Sequence, residues 1–124
     1  MSMLDNIEAY LVSKDAIPAG YAVYHDFMPA APYEVVILNE YAGKPGYDFN
    51  LRSIQVQCRA DNADDAKSNA WTLFNALNVP FTKQVLLDTT IVLVHMRQTP
   101  FKITSDTNSV TYGFNIGVTT NITM

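Results

Sequence analysis

The sequence predicts an α+β fold: a mostly antiparallel sheet of about four to five strands, with two helices packed on one face. Two segments, residues 3–14 and 62–77, carry apolar side chains at helical spacing. Two others, residues 53–60 and 110–119, alternate between apolar and polar side chains, as half-buried strands do. The chain has 124 residues, of which 48% are hydrophobic. Residues 1–124 are therefore expected to form a single domain with a core of its own.

The first helix is expected over residues 3–14. Ser2 followed by Asp5 matches a short capping box, and Pro18 and Gly20 end the helical pattern. The apolar positions that recur at helical spacing are Leu4, Ile7, Tyr10 and Leu11.

Two strands are expected next, over residues 21–28 and 33–41, with a break at residues 29–32 that contains two prolines. The run 35–38 is apolar at every position, which predicts a strand buried on both faces. Residues 42–48 contain two glycines and a proline, and they predict a turn-rich loop.

A strand and a helix follow without a linker. Residues 53–60 place Ile54, Val56 and Cys58 on one face and polar side chains on the other, which predicts one buried and one polar face. Asn62 is the expected N-cap of the second helix, which Pro80 stops. The predicted apolar stripe of this helix is Ala66, Ala70, Leu73, Phe74 and Leu77, with Trp71 beside it.

The last third of the sequence predicts a closing hairpin. Residues 89–97 form a strand rich in β-branched residues, Pro100 interrupts it, and residues 101–104 resume it. Residues 106–109 (D-T-N-S) are typical of a turn, and the strand 110–119 follows.

The composition of the chain argues against several classes of protein. The net charge is −4, from 12 acidic and 8 basic residues, without the basic stripe of a nucleic-acid binder. The single cysteine excludes an internal disulfide and favours a reducing compartment. No signal peptide and no run of about 18 apolar residues is present, so we expect a soluble protein that is intracellular when synthesised.

No catalytic residue, metal ligand or cofactor site is expected. Adjacent strand positions point His25 and Asp26 to opposite faces, and His95 lies in an apolar strand as a core or interface histidine. Cys58 is expected to be a small buried hydrophobic residue rather than a nucleophile. The aspartates at 61, 64 and 65 are explained by a helix N-terminus.

Assembly surfaces are expected instead. Gly113 and Gly117 on one face of the last strand indicate either a close approach of another backbone or a bulge in the hairpin. The uncharged segment 119–124 offers a strand edge for a neighbour, or it is a frayed terminus. With the turn at residues 43–48, the expected interface residues are Lys44, Tyr47, Asp48, Gly113, Asn115, Gly117, Thr119 and Ile122.

Short motifs in a defined order give a family resemblance. They are I-Q-V-Q-C-R-A at 54–60, then D-N-A and a helix ending in A-L-N, V-I-L-N-E-Y-A-G at 36–43, R-Q-T-P-F at 97–101 with Asp106, and Y-G-F-N-I at 112–116. This order resembles the siphophage tail terminators, also called minor capsid or tail completion proteins.

The resemblance implies a virion protein of the tail and neck, assembled in the host cytoplasm. It would form a homo-oligomeric ring, commonly a hexamer, at the head-proximal end of the tail tube. The implied partners are the major tail tube protein and a head completion or closure protein, and DNA would pass through the lumen without specific binding. The family is not enzymatic. Alternatives are a head-closure or stopper protein of the neck, a small-ligand-binding α+β domain, or an enzyme with an unrecognised site.

Overall fold

A computed structural model describes residues 3–30, 34–45, 50–78, 85–87 and 90–120. These residues form α1 (Met3–Ser13), β1 (Ala22–His25), β2 (Val35–Pro45), β3 (Asn50–Ala60), α2 (Ala63–Leu77), β4 (Val85–Leu87), β5 (Thr90–Met96), β6 (Phe101–Ser105) and β7 (Val110–Thr120). The predicted α+β class, with a mostly antiparallel sheet and two helices, is confirmed. The described sheet has seven strands. The expected number was about four to five strands. The additional strands include the three-residue β4, which no pattern in the sequence indicated.

The strand order is β1-β2-β3-β7-β5-β4, and β6 pairs with β7 beside this path. Only the β1–β2 pair is parallel among the described pairs; the others are antiparallel. One edge of β7 pairs with β3, and its other edge pairs first with β6 and then with β5. The predicted interruption at Pro100 is confirmed. β5 ends before this proline and β6 begins after it, and both strands pair with β7.

The core lies between the helices and one face of the sheet. Alternate residues of β3 and β7, Ile54, Val56, Cys58, Phe114, Ile116 and Val118, are fully buried there beneath both helices. α1 contributes Leu4, Ile7 and Leu11 to the same cluster. Each fully buried side chain of this size stabilises the fold by about 1.5–3 kcal/mol, which makes this layer the main source of stability.

The second helix follows the sequence prediction closely. The Asn62 Oδ1 accepts a hydrogen bond of 2.8 Å from the backbone N–H of Asp65, which caps the helix as expected. Its buried residues are the predicted stripe, Ala66, Ala70, Leu73, Phe74 and Leu77. Trp71 packs edge to face on Phe74 at 5.3 Å between ring centroids. Pro80, the expected stop of this helix, lies outside the described residues. Neither described helix is long and apolar enough to cross a membrane.

The hairpin turn before β7 is built on Asp106. Its backbone N–H donates to the Ser109 carbonyl at 2.9 Å, and its Oδ1 accepts hydrogen bonds from the Asn108 N–H, the Ser109 N–H and the Ser109 hydroxyl. These donors favour the charged carboxylate, so the pKa of Asp106 is lowered. The predicted turn is confirmed.

β2 differs from the prediction at its C-terminal end. Residues 42–45 were expected in a loop, yet β2 continues to Pro45, and Lys44 and Pro45 pair with Leu51 and Asn50. The pairing register shifts between Tyr41 and Lys44, which is the irregularity expected of a β-bulge. The loop prediction is therefore wrong for residues 42–45, because pairing with β3 overrides the local turn preference of glycine and proline. Residues 46–49 lie outside the described part of the chain.

Candidate functional site

His25 joins the edge strand β1 to helix α1. Its Nε2 lies 2.7 Å from the Glu8 Oε1, and its Nδ1 lies 3.6 Å from the Asp5 Oδ1. Asp26 has a left-handed backbone, with φ of 56°, and its Oδ1 accepts a hydrogen bond from the Glu40 N–H. The two neighbours therefore make separate contacts, but strand alternation is not the reason, because β1 ends at His25 and Asp26 lies beyond it. The side chain of His95 is outside the described residues.

Cys58 is buried beneath α2, as the alternation of β3 predicts. Burial raises the pKa of its thiol to about 12. Nearby, the Asn69 Nδ2 donates to the Tyr21 hydroxyl at 3.1 Å, and burial raises the pKa of Tyr21 to about 12 as well. A thiol held neutral is a poor nucleophile, so the prediction of a small buried hydrophobic residue is confirmed.

The aspartates before and within the first turn of α2 serve the helix cap. The Asn62 Nδ2 donates to the Asp61 Oδ1 and to the Asp65 Oδ2, each at 2.9 Å. Negative charge is favourable at this end of the helix dipole. Among the described residues, no group of three or more histidine, cysteine, aspartate and glutamate side chains could hold a metal ion.

Gly113 is required by its own sheet. A Cβ at this position would collide with the Val56 carbonyl oxygen and would lie 2.7 Å from the Ile103 Cδ1. The register of β6 shifts between Lys102 and Thr104, beside this glycine. The expected close approach at Gly113 therefore exists, and neighbouring strands of the same chain supply it.

The other predicted interface positions are spread along the sheet. Asn115 and Gly117 lie on β7 opposite Gln55 and Ser53, on the same face as Gly113. Thr119 pairs with Leu51 on one side and Leu93 on the other. The prediction of a free strand edge is therefore wrong at residues 119–120, whose backbone is paired on both sides within the chain. Lys44 lies at the end of β2, whereas Tyr47, Asp48 and Ile122 lie outside the described residues.

The face of the sheet opposite the helices is polar but largely buried. We call it the helix-free face, because both described helices pack on the other side; its residues on the central strands are Val35, Ile37, Ser53, Gln55, Gln57, Arg59, Thr111, Gly113, Asn115 and Gly117. Arg59 donates to the Pro29 carbonyl at 2.6 Å. The hydroxyl of Thr111 is buried without a hydrogen-bond partner among the described residues.

The polar face that alternation predicts for β3 is itself largely buried. Ser53 is 4% exposed, and Gln57 and Arg59 are each 8% exposed. The Gln57 Nε2 donates to the Gln55 Oε1 at 2.6 Å, so these amides satisfy one another along the strand. Alternation separates the two faces of a strand, but it does not say what covers the polar one.

Exposed aromatic side chains surround the helix-free face. Strand pairing places Tyr41 opposite Ser53, Phe101 opposite Gly113 and Tyr24 beside Ile37, all on this side of the sheet. Phe27 packs edge to face on Tyr24 at 6.0 Å. Tyr41, Phe101 and Phe27 are all exposed. The Arg97 Nη2 adds a positive charge, donating to the Ser53 hydroxyl at 3.0 Å.

Sequence reasoning missed this rim, because its residues come from three segments of the chain, 24–27, 41 and 97–101, and no local spacing connects these segments. Large exposed apolar side chains that share one side of a protein are typical of a surface that contacts other proteins. The fold and this surface thus define an α+β protein with a candidate protein-contact face.

The family model described as "Bacteriophage tail terminator protein" matches residues 3–121. The chain therefore belongs to the bacteriophage tail terminator family, a family of phage tail structural proteins that is generally non-enzymatic. This membership associates the chain with the virion. No sequence among the curated proteins matches it.

Proposed function

We propose that the chain forms a homo-oligomeric ring, of six subunits, at the head-proximal end of a phage tail tube. The ring ends polymerisation of the tube and provides the interface that joins tail to head. The observation that carries this proposal is the family match over residues 3–121. The name of the matched family favours a terminator over a head-closure or stopper protein.

The charge of the chain supports a lumen through which DNA slides. The net charge is −4. Phosphate groups are repelled by a surface of the same sign, so DNA passes without specific binding. The partners we propose are the major tail tube protein on one side of the ring and a head completion or closure protein on the other, with assembly in the host cytoplasm and a final position in the neck.

We further propose that no step of this function is chemical. His25 is engaged with two carboxylates of α1, and the Cys58 thiol is buried with a raised pKa. In the described contacts His25 meets carboxylates but no hydroxyl or thiol nucleophile, and the Cys58 thiol meets no base. A folded Cys58→Ala variant should therefore assemble and join heads to tails as the unchanged protein does. Loss of joining by a folded, assembled variant would contradict this.

We propose that docking to the tube or the head uses residues 43–48. Lys44 lies near the end of β2, and Tyr47 and Asp48 follow it in the sequence. Loops on a rigid sheet carry recognition residues. Alanine at Lys44 or Tyr47 should spare the ring and weaken docking, which would leave unattached heads and free tails of abnormal length in lysates seen by electron microscopy.

The decisive experiment has two stages. Negative-stain microscopy of the purified protein should show rings with a central hole, whereas a ligand-binding domain would give featureless monomers or dimers. The protein is then added to polymerising tail tube protein, with an unrelated acidic protein of similar size as the control. A terminator caps tubes at one end and stops their growth. Unchanged tube lengths, with rings bound to the head portal instead, would show a head-closure protein.

A further inference from the structure

We propose that subunits join head to tail, with the helix-free face of one copy seated on the outer side of α1 of the next copy. This inference rests on the proposed ring. A ring that closes by rotation needs two different, complementary patches on each subunit, because the same contact repeats between every pair of neighbours. The fold offers two such patches, on opposite sides of its sheet.

The first patch is the rim of the helix-free face. Phe27 is 59% exposed, Tyr41 is 44% exposed and Phe101 is 37% exposed. Large apolar side chains on the surface are informative when they share one face. Strand pairing puts Tyr41 and Phe101 on this side of the sheet, and the contact with Tyr24 puts Phe27 there. Aromatic side chains supply much of the contact area at the centre of protein interfaces.

The second patch is the outer side of α1. Its residues Asp5, Glu8, Ala9, Val12 and Ser13 line a depression that is open to solvent. Val12 is 59% exposed, although it lies between the buried Leu11 and the end of the helix. This side of α1 therefore presents an apolar side chain beside two carboxylates.

Charge complementarity selects a second copy of the chain as the occupant. The helix-free face carries Arg97, which is exposed and donates to a neutral hydroxyl. Arg59 on the same face is buried and donates to the Pro29 carbonyl. The α1 patch carries the carboxylates of Asp5 and Glu8, and both also contact His25. Arg97 of one copy thus meets the carboxylates of the next.

The two patches of one chain cannot contact each other. Both described helices pack on one side of the sheet, and the aromatic rim lies on the other. Contact between them must join different copies, and it leaves an unused patch at each end of any open chain of subunits. Closure of this series into a ring uses every patch, whereas a pairwise contact between identical patches would stop at a dimer.

The test uses two variants with one patch altered in each. Phe27→Arg alters the aromatic rim, and Val12→Arg alters the α1 patch; both side chains are 59% exposed, so folding is expected to survive. Tyr41→Arg is a second rim variant in case Phe27→Arg unfolds. Asn75→Arg, at an exposed position of α2, is the control. Circular dichroism checks folding, and size-exclusion chromatography with light scattering measures mass over a concentration series.

Each altered protein alone should be a monomer of 13.8 kDa, while the control assembles as the unchanged protein does. An equal mixture of the two altered proteins should form a dimer and nothing larger, because one intact rim meets one intact α1 patch. Arg97→Glu should weaken assembly at least tenfold in concentration, whereas Lys102→Glu, the same charge change on the other side of the sheet, should not.

The outcomes separate this inference from the proposed function. If the unchanged protein stays monomeric throughout the series, the ring proposal fails and this inference fails with it. If the unchanged protein forms rings and both arginine variants do too, the ring stands and this placement of the contact is overturned. If each variant is monomeric but their mixture stays monomeric, the contact is not head to tail.

Discussion

Truncating Phe74 tests how α2 is held on the sheet. Its ring is 7% exposed and lies at the centre of an aromatic stack, 5.3 Å from Trp71 and 5.4 Å from Phe114, with both contacts edge to face. The change Phe74→Ala removes the ring from a packed layer and leaves a cavity between helix and strand.

The expected cost follows from these contacts. A buried phenylalanine replaced by alanine destabilises a protein by about 3–5 kcal/mol. The two edge-to-face pairs favour the upper half of that range, since each such pair contributes about 0.5–1.5 kcal/mol beyond burial. A domain of this size is stable by about 5–15 kcal/mol, so the variant loses a large share of its stability.

The assay is urea unfolding at a fixed protein concentration, followed by circular dichroism and by fluorescence of the single tryptophan, Trp71. Phe27→Ala is the matched control, because the same atoms are removed from a side chain that is 59% exposed. It should cost about 1 kcal/mol or less. If the two variants lose equal stability, or if Phe74→Ala loses none, the assigned facing of α2 is wrong.

Three further predictions concern single positions. Gly113→Ala should destabilise the monomer by about 1–3 kcal/mol in the same urea assay, since the added Cβ collides with the Val56 carbonyl oxygen; an unchanged midpoint would contradict the strand pairing there. Asn62→Ala should cost about 1 kcal/mol through loss of the helix cap, and Asn75→Ala on the same helix should cost less. Stability should be fully present below pH 9 and should fall as the pH rises towards 12, because folding raises the pKa of Cys58 from 9.0 to about 12. Cys58→Ala should delay the onset of that loss, measured by urea midpoints across pH, and an unchanged onset would refute the assignment.

Much of the fold could be predicted from local patterns. The cap at Asn62 and the buried stripe of α2 depend on contacts three or four residues apart, so spacing alone indicates them. The turn at Asp106 depends on hydrogen bonds within four residues. The burial of Cys58 follows from alternation along one strand. The order of short motifs also indicated the family that the match over residues 3–121 shows.

Tertiary structure alone decided which segments meet. β7 lies between β3 and the successive strands β6 and β5, so residues 119–120 have no free edge, and residues 42–45 become strand because β3 pairs with them. The contacts of His25 with α1 join positions 17 and 20 residues apart. The aromatic rim gathers side chains from segments distant in the chain. Hydrophobic periodicity states which side of an element is buried, but it contains no information about its partner, because apolar burial is non-directional and pairing is settled by the packing of the whole chain.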